Sequence, residues 1–462
     1  MSRTIAIVGA GFCGTLAAVH LLRTATGPLH TGPFRIVLID SAEPGRGVAY
    51  GTQERAHLLN VPAGGMSAFE DDAQDFLRFA AQRLGTASGG DFLPRQLYGD
   101  YLQALLDGAV AARAPACEFN VMQGRVLAIE ATDGAQLLRL DDGSTVHADR
   151  VILALGNAPA AVPPLADATF YADSSRYLRD PWSADFLSRL DWTQPVLLLG
   201  TGLTAVDVAL RLRAQHFQQP VIALSRRGLT PLAHRGLSVK AASVTLPEDL
   251  IRGIPSARAS LHAARNYAAQ QTEDGDWRDL IATLRAHTPR LWQQCSLREQ
   301  RRFLRHASIY WDVHRHRLAP AVAATLNDLL LSHRLRIGAA RIESLVDEGA
   351  GVVVRLRRRG QKNSETLRVG SVVNCTGPNG NVERNGDALV QTLLSEGIVR
   401  ADVLKIGIDV GDDYAVIGRD GEPARDIFYV GPWLKAKFWE ATAVPELRKH
   451  VADAVAAVNR SL

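Results

Sequence analysis

Apolar residues recur along this chain as short unbroken runs that halt at glycine. Ile5-Ala6-Ile7-Val8 runs into Gly9, Val151-Ile152-Leu153 is followed by Gly156, Val196-Leu197-Leu198-Leu199 meets Gly200, and Val372-Val373-Asn374-Cys375 precedes Gly377. Such runs predict short buried strands, each ending in a turn. Helical spacing follows the first and third runs, at residues 15–22 and 207–212, and returns at 73–84, 94–113 and about 445–458. Alternating or β-branched stretches predict further strands at 34–39, 118–123, 125–131, 136–140, 221–224, 334–356 and 365–369. Turns at Asp133-Gly134 and Asp141-Asp142-Gly143 break residues 118–140 into a three-stranded excursion.

Strand, tight turn and helix occur together twice, with chemistry attached. The first turn is Gly9-Ala10-Gly11-Phe12-Cys13-Gly14 and the second Gly200-Thr201-Gly202-Leu203-Thr204-Ala205. In this spacing the first glycine allows the turn, the second lets backbone approach a pyrophosphate, and the third position lets the helix pack on its strand. The helix N-terminus then holds the phosphates through unpaired amides and the helix dipole. The strand beyond each helix ends differently in the two cases. The strand at 34–39 ends on Asp40 and Ser41, where a carboxylate can accept two ribose hydroxyls. The strand at 221–224 ends on Ser225-Arg226-Arg227, where a hydroxyl and two guanidiniums suit the 2′-phosphate of NADPH.

Composition narrows the class. The chain has 462 residues and an apolar fraction of 47%, enough for two or three globular domains. Lys and Arg number 52 against 48 Asp and Glu, a formal charge of +4, which argues against general nucleic-acid binding. No secretory leader or apolar run of membrane-spanning length is evident, so the expected setting is cytoplasmic. The cysteines Cys13, Cys117, Cys295 and Cys375 are scattered. They give no disulfide framework, no zinc site and no redox dithiol, and no metal is expected. Cys13 and Cys375 read as small buried hydrophobes.

Two glycine turns separated by a closed excursion resemble the flavoproteins that hold FAD in one Rossmann domain and NAD(P)H in a second. More narrowly, Gly45 to Thr52, His57 to Ala63, Gly200 to Asp207 and Leu224-Ser225-Arg226-Arg227-Gly228 resemble bacterial FAD/NAD(P)-binding proteins related to N-hydroxylating and flavin-containing monooxygenases. The resemblance implies an α/β fold of two Rossmann-like dinucleotide-binding domains with a helical insertion. The FAD domain is expected at 1–160 and 371–462, the NADPH domain at 190–370, and the insertion at 234–319. It implies FAD contacts from Gly9, Gly11, Phe12, Cys13, Gly14, Asp40, Ser41, Arg46, Asn60, Met66, Ser67, Val126, Gly156, Thr376, Gly377, Gly431 and Pro432. NADPH contacts are expected from Gly200, Gly202, Leu203, Thr204, Ser225, Arg226 and Arg227. Arg46 is expected near phosphate and Asn60 near the flavin ring. The closing helix is expected to present its N-terminus to the ring, with Asn60, Lys437, Trp439 and Glu440 as catalytic candidates and Trp433, Phe438 and Trp439 lining a dry pocket.

Two departures stand out. Flavin-containing monooxygenases carry a His-Ser pair before a tyrosine ahead of the second turn, whereas residues 170–177 hold no histidine. Disulfide reductases end their flavin domain in Gly-Asp, whereas this strand meets Gly431-Pro432-Trp433. Residues 290–317 are dense in arginine and aromatics, including Trp292, Arg301, Arg302, Phe303, Arg305, Tyr310, Trp311, Arg315 and Arg317. They read as a lid that clamps an anionic compound, or as amphipathic helices with aromatics inward and arginines solvated. His314 and His316, two apart, do not share a helical face for a metal. The expected activity is NADPH-dependent reduction of FAD, then oxygen transfer to a small, anionic substrate. Electron transfer to an organic acceptor and non-catalytic redox or nucleotide sensing are the alternatives.

Overall fold

The computed structural model describes residues 3–24, 33–132, 134–236, 245–246, 248, 256–270 and 276–462. Asp133 and parts of the expected insertion fall outside them. Two large sheets organise the fold. The first runs in space as Ala415–Ile417, Pro423–Tyr429, Arg150–Leu153, Arg3–Val8, Phe34–Asp40 and Cys117–Gln123. All neighbours in it are parallel except the antiparallel first pair. The second runs Glu365–Val369, Val352–Arg358, Leu335–Asp347, Val221–Ser225, Val196–Leu199, Ser371–Asn374 and Tyr177–Leu178. Its parallel half gives way to antiparallel pairing beyond Ala340.

The apolar runs form strands because both their faces are covered. Ile5 to Val8 and Val196 to Leu199 are buried throughout. Helix Phe12–Thr24 buries Leu16, Ala17, Ala18, Val19, Leu21 and Leu22, and packs on helices Arg95–Ala111 and Val444–Ser461. Leu16 and Leu21 are fully excluded from water, worth roughly 1.5–3 kcal/mol each.

Two expected boundaries shift. The three-stranded excursion is Val126–Thr132, Ala135–Leu140 and Thr145–Ala148, whereas Cys117–Gln123 joins the first large sheet beside Phe34–Asp40. Its alternation reflects an edge strand with one covered face, a pattern that does not tell which sheet accepts it. Ser371–Asn374 pairs with Val196–Leu199, so it belongs to the second sheet, and the chain returns to the first only after Cys375.

The halves are joined through buried polar contacts. Arg95 grips the Asp207 carboxylate at 2.8 and 3.2 Å, and its Nε donates to the Leu58 carbonyl. His57 Nε2 donates to the Asp207 carbonyl at 3.0 Å while its Nδ1 bonds the Thr52 hydroxyl. Burial is the main influence holding His57 neutral, pushing its pKa below the usual range.

Burial likewise brings His20, His234 and His450 down to about 4. The unfolded chain titrates its histidines near 6.5, so between that pH and about 4 it binds more protons than the folded chain. Stability is therefore expected to fall on acidification through this window. Asp312 and Asp402, raised chiefly by burial, act in the opposite sense. Thermal melts from pH 7 to 4.5 check this: His20→Leu should flatten the slope by up to ~1 kcal/mol per pH unit, and an unchanged slope would show that His20 does not contribute.

Candidate functional site

Both glycine turns sit at the carboxyl end of a central strand whose two neighbours are reached by connections running in opposite directions, the place where open parallel sheets take their ligands. Gly9 has φ +100° and a Cβ there would lie 2.4 Å from the Ala154 carbonyl oxygen. Gly200 has φ +121° and a Cβ there would lie 2.3 Å from the Cys375 carbonyl oxygen. The same close approach is thus built twice.

In the first site, a Cβ on Gly14 would lie 1.7 Å from the Gly9 carbonyl oxygen, so helix and turn could not coexist. At Gly11 a Cβ would meet only Gly47 Cα, at 3.9 Å. Gly14 is fixed by packing, whereas Gly11 lies in ordinary contact with the 45–51 loop through Gly47, a close backbone approach of the kind a pyrophosphate turn uses. Gly45 donates to the Ala10 carbonyl at 2.8 Å and to Thr15 Oγ1 at 2.9 Å, so the 45–51 loop is fastened over the turn. The Asp40 carboxylate takes the amides of Ala10 at 2.5 Å and Ala42 at 3.0 Å, and each oxygen retains a lone pair for a ribose hydroxyl. Phe12 contacts the Tyr98 ring, and Cys13 is a buried thiol pushed up to about 12. Ser41 is exposed, Met66 and Val126 are buried, and Gly156 and Gly377 have positive φ with open space beside them. Ser67 donates to the Asp72 carbonyl and its own carbonyl accepts from Arg448. Thr376 bonds Asn374 at 2.8 Å. Gly431 has φ +152° and precedes Pro432, where a short turn opens over Tyr429.

The expected phosphate partner Arg46 is instead paired with Asp100 at 2.8 Å and bonded to the Gln96 carbonyl. A loop arginine lying over a helix carrying an acid is drawn to the acid, and the sequence separation hides that pairing.

In the second site, helix Leu203–Ala214 starts at Gly202, where an added methyl would have no atom within 4 Å, so the space above the turn is clear for a phosphate. Thr204 sits in the first helical turn. Ser225 Oγ is engaged by Thr201 Oγ1 at 2.9 Å and by the Gly228 amide at 2.9 Å. Arg226 is exposed, while the Arg227 guanidinium lies 5.0 Å from the Tyr310 ring centroid.

The insertion meets the first half around Lys435–Phe438, a short helix after Gly431. Trp292 Nε1 donates to the Ala436 carbonyl at 2.8 Å, and Trp292 and Phe303 pack on Trp439 at 4.7 and 5.0 Å. Glu440, 3% exposed, accepts from Trp311 Nε1 at 2.8 Å and from Arg315 Nε at 2.9 Å. Arg315 lies 3.7 Å from Glu446, which also pairs with Arg285. The aromatics of the insertion do pack inward, but Arg315 is buried and paired where a solvated face is expected.

The expected catalytic set disperses accordingly. Lys437 is paired with Asp412 at 2.7 Å and bonded to the Val410 carbonyl. Trp439 belongs to the aromatic stack and Glu440 to the buried pair. Trp433 stacks on Tyr429 and Phe438 packs with Tyr414 and His450, so Trp433, Phe438 and Trp439 line three clusters and not one pocket. Asn60 stands apart from Lys437, Trp439 and Glu440 at another point where the halves meet: its carbonyl accepts from His234 Nε2 at 3.0 Å. In the sequence His234 marks only the start of the insertion, and a contact across 174 positions leaves no signal there. Among the described residues no group of acids, histidines and cysteines could hold a metal, and no helix is long and apolar enough to cross a membrane.

Comparison with known proteins agrees with this geometry. The family described as FAD-NAD(P)-binding matches residues 6–158. L-aspartate N-monooxygenase (nitrosuccinate-forming) of Streptomyces davaonensis is 30% identical over 247 residues, covering 44% of this chain and 38% of that protein. The match thus spans well under half of that relative's length. Among solved structures, L-lysine 6-monooxygenase from Pseudomonas syringae matches over 100% of both chains with a TM-score of 0.65 and 18% identity. The ornithine N-hydroxylase of Kutzneria sp. 744 matches over 99% of both, with a TM-score of 0.64 and 15% identity. The reduced ornithine hydroxylase of Pseudomonas aeruginosa gives 0.64 at 13% identity over 100% of both. The fold is that of the two-dinucleotide-domain flavoproteins, and the chain carries an FAD/NAD(P)-binding domain.

Proposed function

We propose that this chain, with its FAD/NAD(P)-binding domain, is an NADPH-dependent flavin monooxygenase that hydroxylates the amine nitrogen of a small amino acid or amine. The observation that carries the reading is the doubled strand-turn-helix, Gly9 against Ala154 and Gly200 against Cys375, with an acid closing the first site and arginines the second. The L-aspartate N-monooxygenase resemblance supports the reaction type.

FAD supplies hydride acceptance and oxygen activation when bound. The protein's own part is placement. The amides at the start of helix Phe12–Thr24 and the backbone at Gly11 would hold the pyrophosphate, Asp40 the ribose, and the helix Leu203–Ala214 the phosphates of NADPH. Asn60, fixed by His234, would orient groups at the junction. Packing of the insertion on the buried Trp439 and Glu440 would keep water from that side of the junction.

Stopped-flow absorbance of the FAD-loaded protein tests this. NADPH without oxygen should bleach the flavin faster than NADH, and Arg226→Ala should narrow that preference by about 10-fold, the loss of one charged phosphate contact. With oxygen and an amine panel, NADPH consumption should yield hydroxylamine. Release of hydrogen peroxide alone with every amine would sink the oxygenase reading, and substrate-dependent NADPH oxidation without oxygen would select the reductase alternative.

A further inference from the structure

Where the second half meets Asn60, the arginines of the insertion are not equivalent. Arg235 Nη2 pairs with the buried Asp279 at 2.5 Å and lies 3.5 Å from Asp276. Arg278 bonds Asp276 at 3.1 and 3.2 Å and donates through Nε to the Ala233 carbonyl at 2.9 Å. The third, Arg317, has no ion pair or hydrogen bond among the described residues, and its Nε is shut off from solvent with no partner. Its guanidinium lies 6.0 Å from the Trp277 ring, which also carries Arg278 at 4.4 Å and His314 at 4.8 Å.

The neighbouring backbone fixes where this group stands. Ala233 pairs with Leu318 in a parallel bridge, and His234 donates its amide to the Leu318 carbonyl at 2.9 Å. Arg317 is therefore held one residue from the strand-like contact that also carries His234, and His234 reaches Asn60 and packs on Phe92 at 4.8 Å. Burial, with Arg317 as the second cause, brings the His234 pKa down to about 4, so at neutral pH it is uncharged and donates Nε2–H to the Asn60 carbonyl. Arg317 is itself lowered to about 10 by burial and by Arg315, Arg278 and Arg235, with Asp276 opposing, and stays protonated. An unpaired guanidinium, part-buried among other arginines, is costly unless an anion completes it. The planar fork of Arg matches a carboxylate in two parallel hydrogen bonds.

We propose that Arg317 anchors a carboxylate group of the substrate at the Asn60–His234 junction. The inference rests on the N-oxygenase reading, and it specifies that the substrate is a carboxylate-bearing amine and not a plain amine. Asp276 and Asp279, already engaged by Arg278 and Arg235, would keep those two side chains from competing for it.

The test uses the FAD-loaded full chain with L-aspartate, L-glutamate and succinate as probes, beside carboxyl-free diamines. Binding is read by calorimetry, and turnover by hydroxylamine formation. Wild type should bind at least one carboxylate more tightly than any diamine. Arg317→Met should weaken that binding about 10- to 100-fold, as expected for charge-assisted hydrogen bonds, and raise KM far more than it lowers kcat. Arg317→Lys should restore part of the loss, and the exposed Arg336→Met should behave as wild type. Melting temperature and FAD content, measured on each variant, separate misfolding from lost binding. The inference is overturned if wild type prefers diamines, if Arg317→Met binds carboxylates as well as wild type, or if it raises KM for NADPH instead. Carboxylate binding through Arg317 with no hydroxylamine from any amine would leave the anchor standing and remove the oxygenase reading.

Discussion

Gly14→Val is expected to yield protein without bound flavin and with a melting temperature lowered beyond measurement as a folded state. A side chain there would need to occupy space 1.7 Å from the Gly9 carbonyl oxygen, and neither strand nor helix can retreat, because Leu16, Leu21 and Ile5 to Ile7 are fully buried. Overpacking in a dense core usually costs about 1–3 kcal/mol, and a backbone collision exceeds that range because no rotamer relieves it. The companion variant Gly11→Ala separates fold from ligand. Its new methyl meets only Gly47 Cα at 3.9 Å, so the protein should fold and melt near wild type. Its FAD affinity should still drop by about 10-fold or more, since the methyl comes between the turn and the 45–51 loop at the position where backbone is expected to approach the pyrophosphate. Flavin absorbance relative to protein, with a melting curve for each variant, checks both. Equal FAD affinity in Gly11→Ala and wild type would show that the turn does not hold the phosphates.

The second large effect is expected at the buried pair. Arg315→Met should destabilise the protein by about 3–5 kcal/mol, because Glu440 would remain buried without its cation. In melting temperature this is on the order of 5–10 °C for a unit of this size. Glu440→Leu should cost a similar amount, leaving Arg315 with only Glu446 at 3.7 Å and the like charge of Arg285 nearby. The double variant should recover much of either loss, since replacing both members of a buried pair by apolar groups is often close to neutral. Glu440→Gln keeps hydrogen-bonding capacity toward Trp311 and Arg315 and removes only the charge. If it melts like wild type but loses turnover, Glu440 acts on the chemistry, as the sequence suggests; a parallel loss of stability and activity assigns it to docking the insertion.

These two sites differ in how far they can be read from the chain. Gly9, Gly14 and Gly200 are legible because their constraint is local: a turn of fixed length between a buried strand and a helix leaves a signature within a few residues. The continuous burial of Ile5 to Val8 is legible for the same reason. The pairing of Arg46 is not, because its partner Asp100 lies a helix away, and glycine-rich surroundings carry no mark of that ion pair. Lys437, Trp439 and Glu440 stand out as a group in the sequence, but closeness along the chain does not make them neighbours at one site. The short helix and the positive φ of Trp439, 56°, turn Trp439 and Glu440 into the contact with the insertion and the Lys437 ammonium toward Asp412. Arg317 is visible in the sequence only as one arginine among many. Its distinction is the lack of a partner, a property that exists only after Arg235, Arg278 and Arg315 have found theirs.

The buried contact of Arg95 and His57 with Asp207 ties the halves on one flank, and Trp292, Trp311 and Arg315 tie the insertion to residues 436–446 on the other. A body fastened at both flanks cannot open like a clamshell without breaking buried charge pairs. The two sheets are therefore expected to keep their relative orientation, and lifting the insertion away would break the buried Arg315–Glu440 pair as well.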